Sequence, residues 1–196
     1  MVLANGGEVN QLNIEGDNNA LVRDAYELLM GEKVDIEADQ AREIMVYGGG
    51  ETGCECAEYL VERGYKVSLV SRSPTKMLAR SAEMIYRGVL LQRLRNNPDI
   101  TIIDNTAITK IDANGDIQLH NSETEQLSTR NVTRLFIAQG RHPALQLRSE
   151  LMQAAIAFTS IGDAARSGRI GDAVHQAYNM AQGLCSSANN IDSLAC

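Results

Sequence analysis

Tryptophan is absent from the 196 residues, phenylalanine occurs only twice and proline three times. With few aromatic faces there are few platforms for stacking bases or sugar rings, which disfavours a single-strand nucleic-acid or carbohydrate groove. Positive charge is short as well: 18 Lys and Arg against 25 Asp and Glu leave a formal net charge of -7, whereas a phosphate-backbone surface needs a basic excess. No nucleic-acid partner is expected. No apolar run approaches the ~20 residues that span a bilayer, so no membrane partner is expected either. The opening MVLANGGEVN has neither the basic start nor the long apolar core of a secretion signal, and a cytoplasmic location is the default expectation. Cys54, Cys56, Cys185 and Cys196 lack CxxC spacing and are too few for a disulfide framework in a chain this long, so all four are expected as reduced thiols. His120, His142 and His175 show no paired ligand spacing, and nothing near them suggests a nucleophile triad. Metal and hydrolase chemistry are not expected.

What is present is the balance of an ordinary globular protein, 44% hydrophobic and 22% charged, enough for one ample domain or one domain with a partial second. Val2-Leu3-Ala4 is a short apolar run stopped by Asn5-Gly6-Gly7, the pattern of a strand end, as though the chain begins mid-fold. Ala20 to Gly31 carries apolar residues at helical spacing and predicts a helix. Ile44-Met45-Val46-Tyr47 predicts a buried strand, Cys54 to Arg63 a helix closed by Gly64, and Lys66 to Val70 a second strand. That order and length are those of a right-handed parallel crossover. A helix over Ser81 to Asn96 and a strand over Ile100 to Ile103 continue it. Ala107–Ile111 and Asp116–His120, joined through Asn114-Gly115, predict an antiparallel meander inserted after the parallel strands. Strands are predicted at Leu135–Ala138 and Ile156–Ile161, and a last helix over Ile170–Leu184.

Between the first strand and its helix lies Gly48-Gly49-Gly50-Glu51-Thr52-Gly53. A helix start leaves amides unpaired at the positive end of its dipole, so a pyrophosphate is stabilised there if the backbone can come close. Gly48 permits a tight exit from the strand, Gly50 lets phosphate approach the chain, and Gly53 lets the helix pack on the sheet. About twenty residues on, an acid would accept hydrogen bonds from a ribose 2′-hydroxyl. Ser71-Arg72 stands there instead. A carboxylate would repel a 2′-phosphate, while a hydroxyl followed by a guanidinium can hold it, so NADP(H) is favoured over NAD(H). Lys76 and Arg80 follow, where a solvated face accounts for them as readily as a ligand does. Glu51 is favoured at a helix start by the dipole alone. Glu55 is a candidate neighbour of the nicotinamide. Cys54 and Cys56 are two apart on a helix and share no face; packing is their expected role, although a helix start lowers a thiol's pKa.

Together with Gly48-Gly49-Gly50-x-x-Gly53-x-Glu55, the segments Ala138-Gln139-Gly140-Arg141-His142-Pro143, Ile161-Gly162-Asp163-Ala164 and Asp172 to Tyr178 resemble two-domain pyridine-nucleotide flavoproteins. The likeness is to the C-terminal region of 2,4-dienoyl-CoA reductase and related old-yellow-enzyme-type oxidoreductases, a group that includes trimethylamine dehydrogenase. It runs from Val2 to about Leu184 and rests on the order and spacing of four motifs. The resemblance implies an NAD(P)H domain inserted into an FAD-type domain through two strand crossings. The outgoing crossing is at Val2–Gly6, where Ala4-Asn5-Gly6 replaces the usual Ala-Thr-Gly, and the return at Ile161–Leu184. It also implies cofactor contacts at Gln139, Gly140 and Arg141, and a flavin ribityl or pyrophosphate contact at Gly162-Asp163. The FAD-type glycine loop, the FMN barrel and the iron–sulfur cysteines of that family are absent from these residues.

The expected architecture is therefore α/β: a Rossmann-like three-layer domain with a parallel sheet and an antiparallel meander at 41–142, between fragments of an FAD-type domain at 1–40 and 143–196. FAD, FMN and an iron–sulfur cluster would belong to a parent enzyme of which this chain is a portion. The implied partner is the remainder of that polypeptide, flavin barrel and FAD-type half-domain, and homo-oligomerisation is left open. The implied function is to present nicotinamide for hydride transfer to a flavin; the other reading is a structural module that holds an adenylate, as in trimethylamine dehydrogenase. Arg72→Ala is expected to weaken NADPH binding by ~1.5–3 kcal/mol, the range for a hydrogen bond to a charged group, and to leave NADH nearly untouched in calorimetric titration. Equal losses for both would refute a 2′-phosphate contact.

Overall fold

The computed structural model describes residues 1–17, 20–31 and 43–192. In chain order the elements are β1 (Val2–Leu3), β2 (Gly7–Val9), β3 (Val22–Asp24), α1 (Ala25–Leu29), β4 (Glu43–Tyr47), α2 (Glu51–Val61), β5 (Lys66–Val70) and α3 (Met84–Asn96). There follow β6 (Ile100–Ile103), β7 (Thr106–Ile111), β8 (Asp116–Asn121), β9 (Leu127–Asn131), β10 (Arg134–Ile137), β11 (Arg141–Pro143), α4 (Gln146–Gln153), β12 (Thr159–Ser160) and α5 (Ile170–Asp192). Short 3-10 turns lie at Thr75–Met77 and Gly162–Ala164. The chain divides into two compact units, 11–140 and 1–10 with 141–196. Cys196 and the side chain of Cys185, expected as reduced thiols, lie outside the described residues, as does the expected boundary between 40 and 41.

In the larger unit five strands form an all-parallel sheet in the order β3-β10-β4-β5-β6. Pleating sends alternate side chains to opposite faces, so a strand apolar at every position is one buried on both. Ile44, Val46, Val67, Leu69 and Phe136 pack on one side with Leu60 of α2 and Leu90 and Leu94 of α3. Met45, Tyr47, Val70, Leu135 and Ile137 pack on the other with Ile108, Ile117 and Leu119 of the meander β7-β8-β9. Helices, sheet and meander are thus the three layers. Ser68 is a fully buried polar residue of β5. Its hydroxyl donates to the Glu43 carboxylate, which also receives Arg130 Nη1 of β9 at 2.9 and 3.2 Å. One acid therefore satisfies a core hydroxyl and ties the meander to the sheet.

The helix expected over Ala20–Gly31 is a strand followed by a short helix. Val22, Arg23 and Asp24 pair with Leu135, Phe136 and Ile137, and the Asp24 carboxylate accepts from the Tyr26 amide at 2.8 Å, so the helix cannot start earlier than Ala25. Sheet pairing satisfies this backbone better than a lone turn of helix would. It also places residues 11–31 with the larger unit rather than with the end segment 1–40. Elsewhere α2 begins at Glu51 rather than Cys54, α3 begins at Met84 rather than Ser81, and the strand expected over Ile156–Ile161 shortens to β12. β2, β9, β11 and α4 were not foreseen.

In the smaller unit β1 pairs in parallel with β12, and β2 pairs antiparallel with β11. Its core is small: Leu3, Leu151 and Ala164, with Phe158 packed against them. The α5 helix leaves Ile170, Val174 and Tyr178 exposed. Among the described residues no helix is long and apolar enough to cross a membrane. Phe136, fully buried on the interior strand β10, is a large side chain of the helix-facing core. Phe136→Ala is expected to cost about 3–5 kcal/mol, read as a lower urea midpoint at unchanged slope.

Candidate functional site

In a parallel sheet every strand ends at the same edge, and a crevice opens outside the carboxyl ends where neighbouring connections diverge. Here the loops leaving β4, β5 and β10 enclose a cavity of about 660 Å³, floored by Gly48, Gly49 and Gly50 and walled by Ser71, Arg72, Ser73, Met77, Arg80 and Ser81. Ala138, Gln139 and Gly140 close its third side.

The glycines have separable reasons. Gly48 has φ 139, and a Cβ on it would overlap the Ala138 carbonyl; one on Gly53 would overlap the Gly48 carbonyl; one on Gly49 would run into Ser71 Oγ and the Leu78 methyl. These three are demanded by the fold itself. Gly50 is different. Its φ of -73 and ψ of 179 suit any residue, and a Cβ there would meet nothing within 4 Å. It is the N-cap of α2 and offers no side chain to the helix amides. The protein leaves this space at the positive end of an 11-residue helix, where a phosphate group fits.

Ser71 is buried, and its hydroxyl donates to the Ser73 carbonyl at 2.9 Å while accepting from the Ser73 amide at 3.1 Å. Both bonds lie within its own turn, so the Ser71 hydroxyl at the cavity wall already has a donor and an acceptor partner. Arg72 is exposed at the cavity and donates from Nη2 to Gln139 Oε1 at 2.7 Å.

The segment after Ser73 folds back over the glycine loop. The Asp104 carboxylate receives both the hydroxyl and the amide of Thr75 at 2.7 Å, and these bonds hold its carboxyl below the usual range. Arg87 donates to the carbonyls of Leu78 and Lys76 at 2.8 and 2.6 Å, and the Ala79 amide donates to Gly49 O at 2.8 Å. Ala79 takes φ 47, a strained value for a side chain, stabilised by that bond. The result delivers Arg80, still exposed, to the cavity wall and leaves Lys76 out of it. Met77, Ser73 and Ser81 line the cavity without having been expected there. The one signal for them is Leu78-Ala79, apolar residues in a polar stretch that anchor the segment back on the loop.

Other expected residues are not brought to the cavity wall. Glu51, Thr52 and Gly53 form the first turn of α2. Glu55 does not line the cavity and accepts the Tyr86 hydroxyl of α3 at 2.7 Å across the helix pair. Burial, then that bond, pushes the Tyr86 hydroxyl up to about 12. Cys54 and Cys56 are fully buried, and burial pushes both thiols up to about 12. Desolvation outweighs the lowering expected of a helix start. Arg141, Gly162 and Asp163 belong to the smaller unit. Arg141 donates to the Gly7 carbonyl, the Gly162 amide to Gln176 Oε1 at 2.8 Å, and the Gly168 amide to Asp163 Oδ1 at 3.0 Å. Among the described residues no group of three or more His, Cys, Asp or Glu could hold a metal ion.

A doubly covered parallel sheet with a glycine turn and an open crevice at its carboxyl edge defines a Rossmann-like dinucleotide-binding fold. Residues 1–165 match the family described as pyridine nucleotide-disulphide oxidoreductase, and the chain belongs to that family. It is 32% identical over 184 residues to an NADH oxidase of Thermoanaerobacter brockii, covering 92% of this chain and 27% of that protein. It is 30% identical over 131 residues to a thioredoxin reductase of Mycolicibacterium smegmatis, covering 65% and 38%. A solved 2-naphthoyl-CoA reductase superposes with a TM-score of 0.74 at 23% identity, over 91% of this chain and 26% of that one, a likeness of fold alone. The chain spans less than half the length of each of these relatives.

The glycines set up a contrast. Gly50→Ala is expected to leave the melting temperature within about 2 °C while weakening nucleotide binding at least tenfold, about 1.4 kcal/mol. Gly53→Ala, which drives a Cβ into the Gly48 carbonyl, is expected to destabilise the fold itself. Wild-type affinity in Gly50→Ala would remove the phosphate from this position.

Proposed function

We propose that this chain is the NAD(P)H-binding region of a flavin-dependent oxidoreductase resembling 2,4-dienoyl-CoA and 2-enoate reductases, and that it takes NADPH in preference to NADH. The observation that carries the proposal is the space over Gly50, which the protein does not need for its own packing, set at a cavity with Arg72 and Arg80 on its wall. A pyrophosphate lies against the start of α2, and the adenosine end runs toward the loop after β5. No acid stands there to accept a ribose 2′-hydroxyl, and two guanidiniums oppose a 2′-phosphate. The name of the Thermoanaerobacter brockii relative points to NADH, but the charge at this wall favours the phosphorylated cofactor.

The nucleotide supplies a hydride when bound; the chain's part is to bind and orient it toward a flavin carried elsewhere in the enzyme. FAD, FMN and an iron–sulfur cluster are assigned, on the resemblance, to that remainder, which is the proposed partner. Family membership and the small share of each relative's length that this chain covers support such a division of labour. The 196 residues alone are expected to bind without turnover.

One observation favours a second reading, a structural module that holds only an adenylate: Glu55, the acid expected beside a nicotinamide, accepts the Tyr86 hydroxyl and does not line the cavity. Calorimetry with NADPH and with 2′-phospho-ADP-ribose separates the two. A nicotinamide-presenting site is expected to bind NADPH several-fold more tightly; equal affinities would favour the adenylate module. Absence of binding to NADPH, NADH and ADP at millimolar concentration would sink both.

A further inference from the structure

Gln139 joins the loop after β10 to the loop after β5. Its Nε2 donates to the Tyr47 carbonyl at 3.2 Å, and its Oε1 accepts from Arg72 Nη2 at 2.7 Å. The two neighbours admit only one orientation of the amide, because a carbonyl can only accept and a guanidinium can only donate. The Tyr47 carbonyl is itself fixed, since it also receives the Ala138 amide at 2.8 Å from the sheet. A rigid strand end thus holds an amide, and the amide holds an otherwise exposed guanidinium at the wall of the cavity. Arg72 spends one of its N–H donors on Gln139 and keeps the others.

From this chain of contacts we infer that Gln139 is a specificity-positioning residue: it does not itself read the ribose, but holds Arg72 where a 2′-phosphate is met. A free arginine side chain loses rotamer entropy when a ligand fixes it; one already fixed by Gln139 loses less, and the gain accrues only to the ligand that Arg72 contacts. Neutrality is part of the design. A carboxylate at 139 would cancel the charge of Arg72 and turn an oxygen toward the Tyr47 carbonyl in place of a donor. This role rests on the NADPH preference proposed above.

The test is calorimetric titration of the full 196-residue chain with NADPH and NADH, as wild type, Arg72→Ala, Gln139→Leu, Gln139→Glu and the double variant Arg72→Ala/Gln139→Leu. Gln139→Leu is expected to weaken NADPH three- to tenfold and NADH by less than twofold, and Gln139→Glu to weaken NADPH more than Gln139→Leu does. In the Arg72→Ala background Gln139→Leu should have no further effect on NADPH, because the group it positions is gone. Equal losses of both nucleotides in Gln139→Leu, or an undiminished effect in the double variant, would mean a merely structural role and overturn the inference. If Arg72→Ala selectively weakens NADPH while neither Gln139 variant does, only the positioning role fails. If Arg72→Ala leaves the NADPH-to-NADH ratio unchanged, the cofactor preference fails and this role with it.

Discussion

The approach of Gly53 to the carbonyl of Gly48 is the constraint on which the larger unit depends. No side chain fits between them, so the chain can leave β4 and enter α2 within a few residues. That brevity sets the helix across the sheet and presses Cys56, Ala57 and Leu60 onto the strands, where all three are fully buried. It also aims the start of α2 at the crevice. Fold and site are consequences of one backbone contact, and a loop of ordinary residues would forfeit both.

The strands were legible because the sheet is buried twice. A run such as Glu43-Ile44-Met45-Val46-Tyr47 has no polar face to confuse its period, and the glycines that follow mark its end. Legibility failed where pairing decided the structure. Leu21, Val22, Ala25, Leu28 and Leu29 have helical spacing, yet Val22 to Asp24 are drawn into the sheet by β10, more than a hundred residues away in sequence. β9 carries one apolar residue, Leu127, and leaves it exposed, so its strand character comes wholly from its neighbour β8.

At the site, what could be read was what the backbone imposes: the glycines and the absence of an acid after β5. What could not be read was the direction of side chains. Ser71 closes its own turn through Ser73, and Glu55 accepts the Tyr86 hydroxyl, two partners that no linear pattern announces. For Arg80 the linear pattern fits a solvated charge as readily as a ligand contact. Arg80 reaches the cavity because Asp104, Arg87 and the Gly49 carbonyl fold its loop back, and those partners come from two other loops and from α3. Linear patterns report periodicity and steric permission; they do not report which of several polar partners a side chain finds.

The position of β10 has a bearing on synthesis. Although it lies between β3 and β4 in the sheet, it is the last of the five parallel strands to leave the ribosome. Until Ile137 has emerged, β3 has no neighbour, the face of β4 toward it is unpaired, and Gln139 is not there to wall the crevice. The meander can form earlier from contacts close in sequence, but the parallel sheet closes only by inserting its final strand between two that are already waiting. Long-range pairing of this kind is slow and leaves strand edges exposed in the meantime. The nucleotide crevice is therefore completed late: a nascent chain cut short before β10 would contain the glycine turn and the pairing strands β4, β5 and β6 but not the wall of Ala138, Gln139 and Gly140.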